Sequence, residues 1–419
     1  MAGRRLIDIR DGDRFQDECG VFGVYRNDGA AALTALGLHA LQHRGQEAAG
    51  IVSCDAGNFR IERHMGLVGD NFTKPDVITR LKGDSAIGHN RYSTHGEASL
   101  QNVQPLFAAT AMGGFAVAHN GNITNAVRLR RELNERGSIF QSTSDTEVLI
   151  HLLATSTKTS FLERFIDAVR QLEGAFALVT LTDNAMIGCR DALGIRPMVI
   201  GDYEGSFILA SETCALDIIG ARFVREVEPG EMVIISDNGL ESIRPFPDKA
   251  DRFCVFEYVY FARPDSAVGG RNVYDVRKRI GEELAREAPA PADVVVPVPD
   301  SGTPAAIGFA EGSNLPFDLG IIRNHYVGRT FIEPSDQIRH MGVKLKHNAN
   351  RNVIAGKRVV LVDDSIVRGT TSLKIVEMVR DAGAAEVHMR IASPPTTDSC
   401  FYGVDTPEKS KLIASRMSV

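Results

Sequence analysis

The sequence predicts two domains, an α+β domain followed by an α/β domain. Three observations support this prediction. The 419 residues exceed the length of one ordinary domain. Short β-type runs bounded by Asp, Asn and Gly turns dominate residues 19–245. From residue 251 onward strands alternate with helices, which is typical of a parallel sheet covered by helices.

Composition narrows the class of protein. A hydrophobic content of 43% with 24% charged residues is typical of a globular chain. The net charge of −6 gives no general reason to expect binding to nucleic acid or to an anionic membrane. The six cysteines are scattered, which favours a reducing compartment over a disulfide scaffold. No apolar run approaches the ~18 residues that a membrane helix needs, and the N-terminus lacks the apolar core of a signal peptide. We therefore expect a soluble cytoplasmic protein.

The predicted elements of the N-terminal half are short. Five runs are expected to be strands, namely CGVFGVY, GAFALVTL, MIGCR, SFILASE and EMVIIS. Residues 31–43 and 124–136 are expected to be helices, and Gly137 is a suitable C-cap for the second. These elements make up a predicted domain at residues 19–245.

The C-terminal half, residues 251–419, has longer elements. An apolar stripe with helical spacing ends before Pro289 and consists of Val273, Val276, Ile280 and Leu284. ADVVVPVP is expected to be a strand. Strand 359–362, helix 372–383 and strand 385–391 then form a βαβ unit of a parallel sheet.

The string VVLVDDSIVRGTT at residues 359–371 carries the strongest local signal. Its apolar strand ends at Asp363 and Asp364, and open α/β sheets bind ligands at that end of their strands. The following loop leads into a helix N-terminus, where backbone N–H groups bind anions and Gly369 allows close approach. Two adjacent carboxylates suit ribose hydroxyls or a Mg²⁺ ion that bridges a pyrophosphate. Together these features indicate a phosphorylated ribose, the alternative being simple capping of the next helix.

This string resembles the signature of the type I phosphoribosyltransferases, which bind 5-phosphoribosyl-1-pyrophosphate (PRPP). The resemblance implies a parallel-sheet domain in which Asp363 and Asp364 contact the ribose and Mg²⁺. VPVPDSGTPAAIG is similar to the family's pyrophosphate-side loop and implies a metal role for Ser301. NHYVGRTFI and the basic run after it resemble the mobile loop that closes over PRPP. The residues implied to bind PRPP are Asp363, Asp364, Ser365, Arg368, Gly369, Thr370, Thr371, Arg329 and Lys344.

Four separated features of the N-terminal half fit the hydrolysis of glutamine. Cys19 opens CGVFG, although most such cysteines are small core hydrophobes. Arg91 in GHNRYST can hold a carboxylate through two hydrogen bonds. Asn120 and the N–H of Gly121 in AHNGNITN can face a developing oxyanion, although HNGN alone is more often a hairpin turn. Asp145 in STSDTE can pair with an ammonium group.

In this order the features resemble the class II, N-terminal-nucleophile glutamine amidotransferases, whose fold is an αββα sandwich. The resemblance implies Cys19, Asn120 and Gly121 as catalytic residues and Arg44, Arg91 and Asp145 as glutamine-binding residues. It also implies that residues 1–18 are a propeptide that is removed. The α-amine of Cys19 then takes the thiol proton, since α-amines ordinarily have a pKa of about 7.7–8.0. Otherwise a nearby histidine, His89 or His119, is the alternative base.

The two halves combined resemble the glutamine PRPP amidotransferase family, which opens de novo purine biosynthesis. The implied reaction converts glutamine, PRPP and water into 5-phosphoribosylamine, glutamate and pyrophosphate. Ammonia passes internally, because ammonium in neutral water has no lone pair for attack. The resemblance also implies a homo-oligomer, a dimer or tetramer, and purine nucleotides as inhibitors. Two alternatives are a PRPP-sensing regulator, which has no use for Cys19, and a sibling amidotransferase with a sugar isomerase half.

The cysteines at positions 254 and 400 match two of the four that hold a 4Fe–4S cluster in the subgroup with a propeptide. Cys254 lies in RFCVFEY and Cys400 in DSCFYG. The expected C-terminal C-x-x-C pair is missing, so we expect the chain to be truncated at its C-terminus. The alternative is that both are ordinary buried cysteines.

Overall fold

The computed structural model describes residues 19–92, 99–324, 347–404 and 406–418. The predicted propeptide, residues 1–18, lies outside the described residues, as do Arg329 and Lys344. None of the helices within the described ranges has both the length and the apolar character needed to cross a membrane.

Two antiparallel sheets form the N-terminal half. The seven-stranded sheet has the spatial order β11 (Arg222–Glu226), β9 (Val199–Tyr203), β10 (Ser206–Ala210), β1 (Gly20–Val24), β4 (Ser85–Arg91), β2 (Ala48–Asp55) and β3 (Asn58–Met65). The six-stranded sheet has the order β13 (Gly239–Ile243), β12 (Met232–Ser236), β8 (Ala185–Arg190), β7 (Gly174–Thr182), β6 (Gly113–Ile123) and β5 (Leu106–Thr110).

Helices cover the outer face of each sheet. On the first sheet lie α1 (Ala30–Ala40), α2 (Val68–Asn71), α3 (Pro75–Arg80) and α7 (Cys214–Ile219). On the second lie α4 (Ala126–Glu135), α5 (Glu147–Thr155) and α6 (Phe161–Val169). Alternation along β1 explains the layers, since Phe22 and Val24 pack toward the helices while Val21 packs between the sheets. The result is an αββα sandwich, and the predicted fold class is confirmed.

The C-terminal half is built on a parallel sheet in the order β16 (Val294–Pro297), β19 (Arg358–Asp363) and β20 (Glu386–Ile391). Its longer helices are α8 (Val273–Glu287), α9 (Thr303–Ser313) and α11 (Thr370–Asp381). On β19, Val359 and Leu361 pack toward α11, whereas Val360 and Val362 pack toward α8 and α9. Because both faces are covered, the four central residues of the strand, 359–362, are all apolar, as the sequence predicted.

Smaller elements complete the two halves. They are β14 (Ala267–Val268), β15 (Arg271–Asn272), β17 (Ile321–Arg323), β18 (His347–Ala349), α10 (Arg351–Ile354), a π-helix at Glu257–Phe261, and 3₁₀ turns at Leu100–Asn102, Lys409–Lys411 and Ile413–Ser415.

The sequence predicted α8, but the apolar stripe coincides with its buried face only at Val273. Gly281 lies at the centre of the buried face, and the apolar residues Val276, Ile280 and Leu284 are only half-buried. A Cβ on Gly281 would lie 1.9 Å from the carbonyl oxygen of Ala305 in α9. The two helices therefore pack backbone against backbone, and small residues rather than apolar ones mark the contact.

Candidate functional site

Cys19 lies at one end of the sandwich, directly before β1. β1 runs antiparallel to β4 with Gly20 opposite Asn90, so Cys19 lies beside the end of β4 that carries Arg91. The thiol of Cys19 contacts the carbonyl oxygen of Tyr92 at 3.4 Å and is half-buried. We call this region the cysteine site; it comprises Cys19, Arg91, Asn120, Gly121 and Asp145.

Asn120 and Gly121 lie near the end of β6, on the second sheet. Asn120 is completely buried, and neither polar atom of its side chain has a hydrogen-bond partner within the described ranges. Gly121 has φ +138°, and a Cβ there would lie 2.0 Å from the carbonyl oxygen of Ala175. Only glycine fits this conformation. A buried amide without partners is costly, so its presence marks a place built for a ligand or a reaction intermediate.

Arg91 and Asp145 supply the opposite charges of the cysteine site. Arg91 is buried, and its guanidinium donates to the carbonyl oxygen of Asn102. One carboxylate oxygen of Asp145 accepts from the N–H of Ile123 at 2.9 Å, two residues after Gly121 in β6. The two predicted glutamine anchors thus lie on elements that lead into the cysteine site.

His89 and His119 lie near this site, and both are buried. Burial, together with the nearby Arg91, lowers the pKa of His89 to about 3. Burial also lowers the pKa of His119, and Asp145 offsets only part of that shift. The Nε2 of His89 donates to the carbonyl oxygen of His119 at 3.0 Å. His89 is therefore a neutral hydrogen-bond donor at physiological pH.

Arg44, predicted to bind glutamine, makes different contacts. Its side chain is completely buried between the carboxylates of Glu212 and Glu257. The Nε of Arg44 donates to the carbonyl oxygen of Cys19 at 3.3 Å. These contacts favour a role in holding the Cys19 backbone instead of the predicted contact with glutamine. The sequence missed this because the two acceptors lie 168 and 213 residues away.

The aspartate site comprises Asp363 to Thr371, between β19 and α11. Asp363 and Asp364 are both 3% exposed. Asp363 accepts from the N–H of Asp364 at 2.9 Å, and Asp364 accepts from the hydroxyl of Ser365. The second carboxylate oxygen of Asp364 is buried and has no hydrogen-bond partner among the described residues. Gly369 then reaches φ +85° as the residue before α11.

Ser301, a predicted metal residue, lies close to the aspartate site. It belongs to the turn between β16 and α9, and a Cβ on the neighbouring Gly302 would lie 3.1 Å from the Cα of Asp363. The hydroxyl of Ser301 is buried and has no hydrogen-bond partner within the part of the chain that is described. Oxygen donors of this kind suit Mg²⁺, so the residues present fit that ion. Arg329 and Lys344, predicted here too, fall outside the described residues.

Cys254 and Cys400 pack against one apolar cluster although they are 146 residues apart in the sequence. The cluster also contains Val367 of the aspartate site, so it connects the cysteines with that loop. The Sγ of Cys400 accepts from the N–H of Tyr402 at 3.3 Å, a type of contact that also tunes thiolates in iron–sulfur sites. The described ranges hold no group of three or more His, Cys, Asp or Glu residues suited to a metal ion.

Residues 401–403 lie against the cysteine site, which the sequence did not indicate. Asn122 donates from its side-chain amide to the carbonyl oxygen of Phe401 at 2.8 Å. A Cβ on Gly403 would lie 3.3 Å from the carbonyl carbon of Gly121. In the sequence, this contact could have been indicated by small residues such as Gly403 in a segment without a helix or strand. The contact places residues 401–403 beside Gly121 in β6.

Comparisons with known proteins agree with both halves. A family model for the glutamine amidotransferase domain matches residues 89–217, and one for the phosphoribosyl transferase domain matches residues 270–393. The amidophosphoribosyltransferase of Rhizobium etli is 61% identical over 98% of this chain and 84% of its own length. That of Bacillus subtilis is 49% identical over 96% of this chain and 85% of its own.

Solved structures match equally well. One described as the allosteric regulatory enzyme of purine biosynthesis has a TM-score of 0.92 and 49% identity, covering 96% of this chain and 86% of its own. The glutamine PRPP amidotransferase from Bacillus subtilis, complexed with ADP and GMP, has a TM-score of 0.91 and 48% identity, covering 96% and 87%.

Proposed function

Because the chain belongs to the amidophosphoribosyltransferases, glycosyltransferases that open purine biosynthesis from glutamine and PRPP, we propose how its residues divide that reaction. The cysteine site hydrolyses glutamine, and the aspartate site joins the released ammonia to C1 of PRPP. The sibling with a sugar isomerase half is excluded by the phosphoribosyl transferase match.

In the cysteine site, the thiolate of Cys19 attacks the side-chain amide carbon of glutamine. The C–N bond breaks as the departing nitrogen takes up the proton that was removed from the thiol, and ammonia leaves. Water then hydrolyses the resulting thioester to glutamate and restores the thiol. The side-chain amide of Asn120, which has no partner among the described residues, and the N–H of Gly121 supply preorganised donors for the oxyanion. Arg91 and Asp145 hold the α-carboxylate and α-ammonium of glutamine.

The base is the α-amine of Cys19, which becomes available once residues 1–18 are removed. An amide nitrogen inside a longer chain has no basic lone pair, so the intact precursor lacks this base. The low pKa of His89 supports the choice, because a histidine with pKa about 3 is a poor base at neutral pH. His119, whose pKa is also lowered by burial, is disfavoured for the same reason.

In the aspartate site, Asp363 and Asp364 bind the ribose hydroxyls of PRPP, and Ser365 and the residues at 368–371 bind its 5′-phosphate. The N-terminus of α11 and Gly369 suit the phosphate. Mg²⁺ held by Ser301, Asp363 and Asp364 would neutralise the pyrophosphate leaving group. Arg329 and Lys344 are proposed to cover the bound substrate and exclude water.

An apolar route for ammonia between the two sites is proposed from the cluster at the junction. The buried part of this cluster consists of Phe261, Val367, Val404 and Leu412. Val404 directly follows the segment 401–403 that contacts Gly121 and Asn122 in β6. Such a lining keeps ammonia unprotonated, because it excludes the water that would donate a proton.

The proposal extends to a cluster, an oligomer and regulation. Cys254 and Cys400 are proposed as two ligands of a 4Fe–4S cluster, supported by their shared apolar cluster. Iron and acid-labile sulfide analysis of anaerobically purified protein tests this. Purine nucleotides are proposed as inhibitors of a homo-oligomer, because the Bacillus subtilis enzyme was solved with ADP and GMP.

The observation that carries the division of labour is the fully buried side-chain amide of Asn120, which has no hydrogen-bond partner among the described residues and lies at the same end of the sandwich as Cys19. The experiment is to measure 5-phosphoribosylamine formation by Cys19→Ser with glutamine and with ammonia. We expect glutamine use to be lost and ammonia use to remain. Equal loss of both would overturn the division.

A further inference from the structure

Glu257 is a buried carboxylate that takes no part in the proposed chemistry. It lies in the π-helix Glu257–Phe261, in the segment that joins the two halves, and it is completely buried. One of its oxygens accepts from Arg44 at 2.8 Å and the other at 3.1 Å, and Arg196 lies 3.6 Å away. With Glu212, these residues form what we call the charged cluster.

One arm of the charged cluster reaches the nucleophile. Arg44 is held on one side by Glu257 and on the other by Glu212, and its Nε donates to the carbonyl oxygen of Cys19. The carboxylate of Glu212 also accepts from the N–H of Arg263 and the hydroxyl of Ser266, so it is tied to the joining segment. Burial raises its pKa, but His43 and Arg44 outweigh that effect and hold it well below its usual range.

The other arm of the charged cluster leads toward Gly121 in β6, one of the two proposed oxyanion donors. Arg196 is completely buried and donates to the carbonyl oxygen of Tyr402. The next residue, Gly403, lies against both Arg196 and Gly121, with its hypothetical Cβ at 2.8 and 3.3 Å from them. A side chain at Gly403 would therefore displace one or the other. Arg196 thus holds the segment at Tyr402 and Gly403 in place, and this segment contacts Gly121.

Charge balance makes Glu257 the central member. The cluster contains two guanidinium groups and two carboxylates, all fully buried. Removing the charge of Glu257 would leave two buried cations facing one carboxylate, and uncompensated buried charge forces rearrangement. Of the two guanidinium groups that would move, Arg44 contacts Cys19 directly, and Arg196 contacts the segment at Tyr402 and Gly403 that lies against Gly121.

We propose that Glu257 is a positioning residue for glutamine hydrolysis, which fixes Cys19 through Arg44 and Gly121 through Arg196. The proposal rests on the function proposed above for Cys19 and for the oxyanion donors Asn120 and Gly121. Misplacement of either group would slow the chemical step rather than weaken substrate binding.

The test is Glu257→Gln in the full chain, with Glu231→Gln as the matched control. Glu231 is also buried and also paired with an arginine, Arg225, through both oxygens, but it contacts neither site. For Glu257→Gln we expect the glutaminase kcat to fall about tenfold to a hundredfold while KM for glutamine stays nearly constant. Ammonia-dependent synthesis should be nearly unchanged, and Glu231→Gln should keep the wild-type ratio of the two activities.

Two results would overturn the proposal: an unchanged ratio of glutamine to ammonia use in Glu257→Gln, or an equal change in Glu231→Gln. If Glu257→Gln does not fold, Glu257→Asp retains the charge with a shorter reach and should show a smaller loss of the same kind. A wild-type ratio in a folded Glu257→Asp protein would then count against it. The Cys19→Ser variant distinguishes failure of the Glu257 proposal from failure of the proposed function. Full glutamine use in that variant would overturn the proposed function itself.

Discussion

The cysteine site and the aspartate site differ in how their residues are distributed along the chain. Asp363 to Thr371 form one continuous segment from the end of β19 to the start of α11. Residues 91 and 120 lie on strands of two different sheets, residue 19 directly precedes β1, and residue 145 lies just before α5. A continuous site is specified by local sequence, whereas a dispersed site depends on how the sheets pack. Each part of a dispersed site is therefore ordinary when taken alone.

The buried carboxylates differ in a second way. Glu212 accepts from Arg44, Arg263 and Ser266, so its oxygens are fully engaged by the protein. Asp364 keeps one buried oxygen without a hydrogen-bond partner in the described chain. Because an unpartnered buried oxygen is costly, such atoms mark places where a ligand binds, whereas saturated carboxylates mark structural support.

The largest expected effect is at the aspartate site. Asp364→Asn removes charge beside the proposed pyrophosphate, so synthesis from both glutamine and ammonia should fall about a thousandfold or more. Glutamine hydrolysis at the cysteine site should survive in part. Asp293→Asn, which breaks an exposed ion pair with Arg358, is the control. Ammonia-dependent synthesis at the wild-type rate in Asp364→Asn would show that the assignment is wrong.

The next effect is confined to the cysteine site. Asn120→Ala removes one proposed oxyanion donor, and glutamine-dependent kcat should fall about a hundredfold to a thousandfold. Ammonia-dependent synthesis should be unchanged because Asn120 lies outside the aspartate site. Asn238→Ala, at an exposed turn between β12 and β13, is the control. A fall in both activities by the same factor would mean that the two sites do not divide the reaction.

The smallest effect concerns stability. The pKa of His89 is about 3 in the folded protein, below its ordinary value of 6.5. Between these values the unfolded chain binds the extra proton, so the stability linked to His89 is full above about pH 6.5 and falls toward pH 3.

Unfolding measured between pH 7 and 4 should therefore show a shallower loss of stability in His89→Gln, by up to about 1.4 kcal/mol per pH unit. Glutamine can still donate to the carbonyl oxygen of His119, which limits other changes. His39→Gln, at an exposed position of α1, is the control and should follow the wild-type curve. Parallel curves for wild type and His89→Gln would contradict the depressed pKa.

The sequence predicted the fold class and the main elements because the alternation of apolar residues is a local property. It placed the strand at 359–362, and the structure extends that strand by one residue at each end, to Arg358–Asp363. It did not predict the buried face of α8, because the contact at Gly281 needs the position of α9. The contacts of Arg44 and Gly403 depend on segments far away in the chain, so no local pattern contains them.

The central claim is that Cys19 acts as an N-terminal nucleophile whose own amine is the base. The most direct measurement compares glutamine and ammonia use in two proteins, one processed to begin at Cys19 and one that retains residues 1–18 because Asp17 and Glu18 are replaced. Intact-mass analysis identifies the N-terminus of each. The account predicts that the processed protein uses both nitrogen sources and that the unprocessed protein uses only ammonia. Full glutamine use by a chain that still carries Met1 to Glu18 would contradict it.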